Sequence, residues 1–402
     1  MKKELNVVMI GLGYIGLPTA AIIASKNIKV LGVDVNQKVV DTINKGKIHI
    51  VEPKLDQLVK EVVSNGFLKA ETKPQSADVY LIAVPTPFKG DYEPDIAYVE
   101  AATHSLIPTL KEGALVIIES TSPVGTTEKM QKLIFAKRPE LKGKIFMAFC
   151  PERVLPGNVI YELEHNDRAI GGINLESTKK AIDFYCQFVT GELHKTNART
   201  AELTKLVENA SRDVQIAFAN ELSMICDKAG INVWELINLA NKHPRVNILQ
   251  PGTGVGGHCI AVDPWFIVSA FPKEAKIIRA AREINNYKTE WVIEKIKNKA
   301  LHFKINNNRE PVIACLGLAF KPNIDDLRTS PALHVAKSLI NEGFDILAVE
   351  PNINTYPDFE ITPVEKAVEK ADIVAVLVGH SEFSSLKMAK SKTVLDFVNS
   401  LK

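Results

Sequence analysis

Cys259 lies in the segment 251–264, PGTGVGGHCIAVDP, which carries four glycines in the six positions from 252 to 257. Glycine loses more backbone entropy on folding than any other residue, so such a cluster indicates a chain that bends sharply or lets another group approach its backbone. His258 and Asp263 flank the cysteine, and this polar setting differs from that of an apolar core. The pattern favours a nucleophilic thiol, and the alternative is a buried, inert cysteine.

Two further polar residues, Lys205 and Asn209, stand four positions apart in a segment with helical spacing. Side chains four apart share one face of a helix, so these two are expected side by side. The same face continues through Arg212, Asp213 and Asn220. Such a stripe of polar residues usually forms a solvent-exposed helix surface. The stripe is of catalytic interest only if it faces the cleft beside Cys259.

The sequence GLGYIG supplies Gly11, Gly13 and Gly16 in the spacing GxGxxG. It follows an apolar run and precedes a helical pattern, and Asp34 ends the next predicted strand. These glycines let a pyrophosphate approach the helix N-terminus. An acid at the position of Asp34 accepts a hydrogen bond from a ribose 2′-hydroxyl but repels a 2′-phosphate. The motif therefore predicts NAD rather than NADP, and the alternative is a glycine turn in a nucleotide-free α/β domain.

A third polar segment, FKPNIDDLRTSP, occupies residues 320–331 and follows another apolar run. Lys321 and Arg328 within it carry donors that suit a phosphate or a sugar. A charged surface loop is the alternative.

Five short apolar runs in the first half of the chain are expected to be strands that position these motifs. They read LNVVMI (5–10), KVLGVDV (29–35), VYLIAV (79–84), LVIIE (115–119) and IFMAF (145–149). Helical patterns separate them, which predicts a parallel, doubly wound sheet. The last three runs lead into the loops PTP, STSP and PER. Ligands bind at the carboxyl ends of strands in such sheets, so these loops outline a site.

The second half of the chain changes from strand to helix and back. A long amphipathic helix is predicted from the spacing of Leu203, Leu206, Val207, Ala210, Val214, Ala217, Phe218 and Leu222. More helix is expected at 234–239 and 277–297, followed by an Asn-rich linker at 304–310. Strand, glycine turn, helix and a strand ending in Glu350 then repeat the opening pattern. We therefore predict an α/β fold with two Rossmann-like, doubly wound parallel-sheet domains, 1–195 and 301–402, joined by a central helical region, 196–300.

The composition sets limits on the class of function. With 46% hydrophobic and 24% charged residues and a formal net charge of +2, nothing favours nucleic acid or an anionic membrane as partner. No apolar run reaches the roughly 18–20 residues that span a bilayer. The five cysteines are scattered without a CxxC pair, and the histidines form no HExxH pair, so neither disulfides nor a metal site is expected. We expect a cytoplasmic, metal-free protein.

Seven ordered motifs resemble the UDP-glucose/GDP-mannose dehydrogenase family of nucleotide-sugar 6-dehydrogenases. They are GLGYIGLP, VPTP, ESTSPVGTT, PERVLPG, LTKLVENASRD, GVGGHCIAVDP and GLAFKPNIDDLRTSP. The resemblance implies NAD-dependent, four-electron oxidation of the C6 hydroxyl of a UDP-sugar to a carboxylate. The stretches HIVEP, VPTPFKGDYEPD, CPERVLPGNV and HPRVNILQPGTGVGGHCIAVDPWF are similar to the branch that acts on UDP-N-acetyl-D-mannosamine.

The resemblance also implies how the two oxidations are linked. An aldehyde carbon cannot give up a second hydride until a nucleophile adds to it. The Cys259 thiolate would add to form a thiohemiacetal, which is oxidised to a thioester and then hydrolysed. By the same resemblance Lys205 and Asn209 stabilise charge on the C6 oxygen. Asp263 acts as a base or orients water, and the hydrolytic water is positioned by Glu152 and Thr121.

Binding roles are implied for two groups of residues. The resemblance assigns NAD to Gly11, Gly13, Tyr14, Ile15, Gly16, Asp34, Pro85, Thr86, Ser120 and Thr121. It assigns the UDP-sugar to Arg153, Lys205, Asn209, Arg245, Gly256, Lys321 and Arg328. It further implies a homodimer through the central helical domain, in which an arginine near Arg245 can come from the partner subunit.

Three alternatives stay open from the sequence. The substrate of a 6-dehydrogenase can be UDP-glucose, UDP-N-acetylglucosamine or UDP-N-acetylgalactosamine instead. A non-catalytic NAD- or UDP-sugar-binding regulator would keep the fold without the chemistry, although Cys259, Lys205, Asn209 and Asp263 are all present. A two-electron hydroxyacid dehydrogenase would share the Rossmann and helical domains but has no need for a cysteine among glycines. For a 6-dehydrogenase, surface polysaccharide synthesis is the expected use of the product.

Overall fold

The computed structural model describes residues 5–90, 92–154 and 157–401, and the chain divides into two compact units, Met1–Glu208 and Asn209–Lys402. The first unit begins with strand β1 (Asn6–Ile10), helix α1 (Gly16–Ser25) and strand β2 (Lys29–Val33). It continues with α2 (Gln37–Asn44), α3 (Leu55–Ser64), β3 (Leu68–Glu71), β4 (Val79–Ile82), the hairpin β5 (Phe88–Lys89) and β6 (Glu93–Pro94), and α4 (Ala97–Leu106). It ends with β7 (Leu115–Ile118), α5 (Thr126–Lys137), β8 (Phe146–Phe149), α6 (Val159–His165), β9 (Arg168–Gly172), α7 (Leu175–Tyr185) and β10 (Leu193–Asn197).

The sheet of the first unit has the strand order β10-β9-β8-β7-β4-β1-β2-β3. The strand order reverses at β1, which pairs with β2 on one side and β4 on the other, and ligands bind at such a switch point in open α/β sheets. The prediction of an entirely parallel sheet needs one correction here, because β9 runs antiparallel to β8. The sequence of β9, RAIGG, starts with a charge and ends in two glycines, so it lacks a strand pattern.

Alternation along the strands explains why helices cover both faces of this sheet. In β1, Val7 and Met9 belong to one buried apolar cluster, whereas Val8 and Ile10 belong to another. Successive side chains of a strand point to opposite faces. Helices α1, α3, α6 and α7 contribute to the first cluster, and α4 and α5 contribute to the second. The doubly wound arrangement is therefore present as predicted.

Helix α8 (Ala198–Ala229) begins in the first unit, and the second unit continues with α9 (Val233–Ala240), α10 (Asp263–Ala270) and α11 (Lys276–Asn307). A four-stranded parallel sheet follows, in the order β12-β11-β13-β14. Its elements are β11 (Val312–Leu316), α12 (Pro331–Asn341), β12 (Asp345–Val349), α13 (Val364–Lys370), β13 (Ile373–Val376) and β14 (Thr393–Asp396). Alternate residues of β11 again enter two clusters, one of which includes α11 and α12.

Two helical predictions differ from the structure. The Asn-rich stretch expected to be a linker from 304 is helical through Asn307, and the helix stops only where Asn308 adopts a left-handed φ of 52°. Val207 and Phe218, expected on the buried stripe of α8, are 42% and 52% exposed.

Within the part of the chain that the structure describes, no helix combines the length and the apolar sequence that a bilayer crossing requires.

Candidate functional site

The glycine turn after β1 has the geometry of a dinucleotide cradle. Gly11 has a φ of 92°, and a Cβ on it would lie 2.3 Å from the carbonyl oxygen of Ala83. A Cβ on Gly16 would lie 1.8 Å from the carbonyl oxygen of Gly11. A Cβ on Gly13, by contrast, would meet nothing within 4 Å. Two glycines therefore let the turn close on itself, and the third leaves open space above it.

The residues around this turn fit NAD. The N-terminus of α1 has no side-chain cap and no acid in its first turn, so its amide groups can receive a pyrophosphate. Asp34 directly follows β2 next to the turn. Its Oδ2 accepts from the Leu12 amide at 3.1 Å and its Oδ1 from the Asn36 amide at 2.9 Å. Each carboxylate oxygen keeps a further lone pair for a ribose hydroxyl. Tyr14 in the same turn is 54% exposed, and Ile15 is half-buried.

The loops after β4 and β7 are joined by Ser120. Its hydroxyl accepts from the Val84 amide at 2.8 Å, directly before Pro85 and Thr86. Thr121 follows it and is half-buried. The four residues that the resemblance assigned to NAD in these loops thus lie at the carboxyl ends of neighbouring strands.

The loop after β8 carries Glu152 and Arg153. Glu152 is 8% exposed, and its Oε2 accepts from the Arg168 guanidinium at 3.1 Å. Its Oε1 accepts from the Arg153 amide at 2.6 Å. The Arg153 side chain lies 3.3 Å from the carboxylate of Glu208. Both predicted residues are therefore held by charged partners within the first unit.

Sequence reasoning missed several buried charges around these loops. Glu202 on α8 is fully buried and accepts from the backbone amides of Gly125 and Thr127 at 2.6 and 2.8 Å at the start of α5. Glu52 is 5% exposed, and Arg168 begins β9. In the sequence these three residues resemble ordinary surface charges. Only Glu52 lies in a stretch that the family resemblance singles out, HIVEP at residues 49–53.

The glycines before Cys259 let the segment pack closely against the loop 320–331. A Cβ on Gly256 would lie 2.6 Å from the carbonyl oxygen of Thr329, and one on Gly257 would lie 2.9 Å from the Phe320 ring. The Thr329 hydroxyl also donates to the Gly257 carbonyl at 3.0 Å. The segment is therefore a shaped cradle of the second unit and not a loose loop.

Cys259 is half-buried, whereas three other cysteines are buried. Burial raises the pKa of the Cys150 thiol to about 11 and that of the Cys315 thiol to about 12, so these two behave as apolar side chains. The carbonyl of Cys259 accepts from the Asp263 amide at 2.8 Å, at the first turn of α10. Cys259 is thus more exposed than Cys150 and Cys315, and its nucleophilic role stays a prediction.

Asn209 and Asp263 are brought together by the structure. The Asn209 amide donates to Oδ2 of Asp263 at 2.5 Å, and Asp263 is 4% exposed. Lys205 lies one helical turn before Asn209 on α8 and is half-buried. This pairing orients the Asp263 carboxylate four residues from Cys259.

The rest of the predicted polar face of α8 divides in two. Arg212 is exposed, but Asp213 and Asn220 are fully buried, so the expected solvated surface is wrong at these two positions. Asp213 accepts from the Arg282 guanidinium at 2.7 Å, and burial raises the pKa of this carboxyl. Asn220 donates to Asn285 at 2.9 Å. These residues join α8 to α11 and are structural.

Three of the cations predicted to hold the substrate, Arg245, Lys321 and Arg328, are exposed. Arg245 lies in the loop after α9, and Lys321 follows Phe320. Arg328 forms a bidentate pair with Asp326, at 2.9 Å from its Nε and 2.6 Å from its terminal nitrogen, and this guanidinium lowers the pKa of Asp326. A planar guanidinium matches the geometry of a phosphate as well as that of a carboxylate.

Comparison with known proteins identifies the family. Residues 5–189 match the NAD binding domain of the UDP-glucose/GDP-mannose dehydrogenase family, 199–287 its central domain and 314–402 its UDP binding domain. The chain belongs to this family. Family membership confirms the predicted oxidoreductase activity, NAD as cofactor and a UDP-sugar as substrate.

Two relatives and one solved structure show how close the likeness is. A UDP-N-acetyl-D-mannosamine dehydrogenase of Campylobacter jejuni is 58% identical, covering 97% of this chain and 99% of that protein. An NDP-N-acetyl-D-galactosaminuronic acid dehydrogenase of Ralstonia nicotianae is 53% identical, covering 97% and 95%. The structure of a UDP-D-ManNAc dehydrogenase from Pyrococcus horikoshii superimposes with a TM-score of 0.88 at 40% identity, covering 99% of this chain and 96% of that one. The predicted fold class is confirmed.

Proposed function

We propose that this dehydrogenase oxidises the C6 hydroxyl of UDP-N-acetyl-D-mannosamine to the carboxylate, with two NAD⁺ reduced per sugar. The observation that carries the chemistry is Cys259, half-buried in a glycine cradle and next to the Asn209–Asp263 pair. The choice of sugar is supported by the 58% identity to the Campylobacter jejuni enzyme of that name. A UDP-N-acetyl-galactosamine substrate is the second candidate, because the Ralstonia nicotianae relative is 53% identical.

The proposed mechanism uses Cys259 to connect the two oxidations. NAD⁺, when bound, accepts one hydride in each of them. The Cys259 sulfur adds to the C6 aldehyde, so that a C–S bond forms and the carbonyl oxygen takes a proton. Oxidation of this thiohemiacetal leaves a thioester on Cys259. Water then adds to the thioester carbonyl, the C–S bond breaks, and the carboxylate, the thiol and a proton are released.

The other proposed catalytic roles follow from charge and contacts. The Lys205 ammonium and the Asn209 amide stabilise negative charge on the C6 oxygen. The Asp263 carboxylate, held by Asn209 at 2.5 Å, acts as a base or orients water. Glu152, assisted by Thr121, positions the hydrolytic water.

The proposed binding roles divide between the cofactor and the sugar nucleotide. NAD is held by the residues of the first unit already predicted, Gly11, Gly13, Tyr14, Ile15, Gly16, Asp34, Pro85, Thr86, Ser120 and Thr121. The UDP-sugar is held by Arg153, Lys205, Asn209, Arg245, Gly256, Lys321 and Arg328. Exposed cations such as Lys321 and Arg328 suit the diphosphate because charged nitrogen donors form strong hydrogen bonds with phosphate oxygens.

We also propose that the protein is a homodimer through its central helices. Phe218 and Ile225, seven residues apart on α8, are 52% and 56% exposed, and Leu239 on α9 is 62% exposed. Large apolar side chains exposed on the central helices favour burial against a second copy. A monomer mass in analytical ultracentrifugation at micromolar concentration would contradict the proposal.

We further propose a cytoplasmic location, with a product used for surface polysaccharide synthesis.

A panel of UDP-sugars tests the proposed substrate. UDP-N-acetyl-D-mannosamine, UDP-glucose, UDP-N-acetylglucosamine and UDP-N-acetylgalactosamine are each supplied with excess NAD⁺, and the NADH released per sugar is counted. The proposal predicts the highest kcat/KM for the mannosamine sugar, by at least about tenfold, with two NADH per molecule. Faster turnover of another sugar would overturn the choice of substrate. One NADH per molecule would instead favour a two-electron dehydrogenase.

A further inference from the structure

The loop that follows β8 is fixed at both ends by buried charges that the proposed chemistry does not use. Glu152 lies near its start, and Gly157 and Val159 lie at its end. Arg168, 3% exposed, contacts the start of the loop, and Glu52, 5% exposed, contacts its end. A charged side chain is rarely buried unless its partners hold it. These two therefore need a structural or functional explanation.

Arg168 is held in place by groups other than Glu152. One of its terminal nitrogens donates to the Leu163 carbonyl at 3.0 Å. Its guanidinium carbon lies 5.2 Å from the centre of the Tyr185 ring. The other terminal nitrogen lies 3.9 Å from the Cys150 sulfur and donates to Glu152 at 3.1 Å. Contacts with Leu163 and Tyr185 therefore orient the guanidinium independently of the Glu152 carboxylate.

The Glu152 carboxylate receives one hydrogen bond on each oxygen, from Arg168 and from the Arg153 amide. Each carboxylate oxygen can accept about two, so each keeps an acceptor position. A carboxylate fixed in this way can orient a water molecule with little loss of entropy, whereas a mobile one cannot.

Glu52 fixes the far end of the same loop. Its Oε2 accepts from the Gly157 amide at 2.9 Å and its Oε1 from the Val159 amide at 2.9 Å. It lies just before α3, so the contact joins two segments more than a hundred residues apart in the chain. The described ends of the loop, Glu152 on one side and Gly157 and Val159 on the other, are therefore both held by other segments of the first unit.

We propose that Arg168 is a positioning residue that holds Glu152 in place for hydrolysis of the Cys259 thioester, with Glu52 fixing the other end of the loop. The proposal rests on the proposed function, because it needs a thioester to be hydrolysed. It assigns Arg168 to one step only. The earlier steps, in which the sulfur adds and the two NADH form, should be nearly unaffected by its loss.

The test measures the first turnover and the later turnovers separately. Arg168→Met is mixed with UDP-N-acetyl-D-mannosamine and NAD⁺ in a stopped-flow instrument, and quenched samples are analysed by intact-protein mass spectrometry. We expect a burst of two NADH per active site, then steady turnover slowed by about 10- to 100-fold, with the sugar attached to the protein. Arg199→Met is the matched control, since Arg199 pairs with Glu128 at 2.7 Å but is exposed. It should keep wild-type turnover. Wild-type hydrolysis in Arg168→Met would overturn the proposal.

A double variant keeps the test decisive if Arg168→Met does not fold. Arg168→Met/Glu152→Gln removes both charges together, which leaves no unpaired ion in the buried site. If Arg168 acts through Glu152, this double variant hydrolyses the thioester as slowly as Glu152→Gln alone. A further loss of about tenfold in the double variant would show an independent role and overturn the proposal.

The Glu152→Gln variant separates this proposal from the proposed function. A sugar adduct on Cys259 in Glu152→Gln supports the covalent mechanism whatever Arg168 does. Absence of that adduct, with the reaction still reaching the acid, would remove the proposed function itself. An adduct in Glu152→Gln together with unchanged hydrolysis in Arg168→Met would remove only the role of Arg168.

Discussion

The carboxyl group of Glu119, at the end of β7, is 3% exposed. Its Oε1 accepts from the Tyr185 hydroxyl at 2.6 Å, and Oε2 has no hydrogen-bond partner within the described residues. Burial raises the pKa of Glu119 from 4.5 to about 7, because the charged form loses its hydration. Between pH 4.5 and about pH 7 the folded protein therefore holds a proton at Glu119 that the unfolded chain has released.

This raised pKa predicts a pH dependence of stability. Between pH 4.5 and about pH 7 the folded state binds the extra proton, so the free energy of unfolding falls as the pH rises through that window and is level above it. As the pH rises from about 5.5 to 8, Glu119 should lower the free energy of unfolding of the wild type by about 2 kcal/mol. Glu119→Gln removes this loss, so its stability relative to wild type should rise by that amount.

Thermal and urea unfolding at several pH values measures the effect. Glu61→Gln, at an exposed position of α3, is the matched control and should follow the wild type throughout. If the difference between Glu119→Gln and wild type stays constant from pH 5.5 to 8, Glu119 does not retain the proton.

At the scale of single residues, the sequence predicts groups that follow a local motif and misses those that do not. Gly11, Gly16 and Asp34 were predicted because spacing in the chain reflects the geometry of their turn. Arg168 and Asp213 were not recognised as buried charges, because their partners lie 16 and 69 positions away. Single-sequence reasoning has no information on such distant partners.

At the scale of elements, the glycine segment before Cys259 predicts a contrast between two of its own positions. A Cβ on Gly256 would lie 2.6 Å from the Thr329 carbonyl oxygen, whereas one on Gly252 would meet nothing within 4 Å. Neither glycine has a left-handed φ, so backbone strain does not differ between them. Gly256→Ala must displace the segment or the loop 320–331, at a cost of about 1–3 kcal/mol. Gly252→Ala should change stability by less than about 0.5 kcal/mol.

Melting temperature and initial NADH rate report this contrast. Gly256→Ala should lower both, with turnover reduced by about tenfold or more because Cys259 moves with the segment. Gly252→Ala should leave both close to wild type. Equal behaviour of the two variants would mean that the segment is pliable and does not fix the thiol.

The predicted elements agree with the structure where the residue pattern is strong. The five apolar runs of the first half contain β1, β2, β4, β7 and β8, because buried parallel strands need continuous apolar side chains. The polar strand β10, LHKTN, has no such pattern. The end of α11 was misplaced because three asparagines occur in succession, and only Asn308 takes the left-handed conformation that ends the helix.

At the scale of the whole molecule, the family domains place NAD binding and UDP binding in different parts of the chain. Residues 5–189 match the NAD binding domain and 314–402 the UDP binding domain, and Cys259 lies in the central domain between them in sequence. A two-electron dehydrogenase needs a cofactor site and a substrate site. The proposed four-electron oxidation needs, in addition, a group that keeps the half-oxidised sugar bound between the two reductions.

Peptide mass spectrometry of acid-quenched turnover mixtures tests that requirement most directly. With UDP-N-acetyl-D-mannosamine and NAD⁺ present, the account predicts a sugar-nucleotide adduct on the peptide that contains Cys259. It predicts no adduct in Cys259→Ser, whose turnover should fall by about a thousandfold or more. An adduct on a different side chain, or full conversion to the acid by Cys259→Ser, would contradict the account.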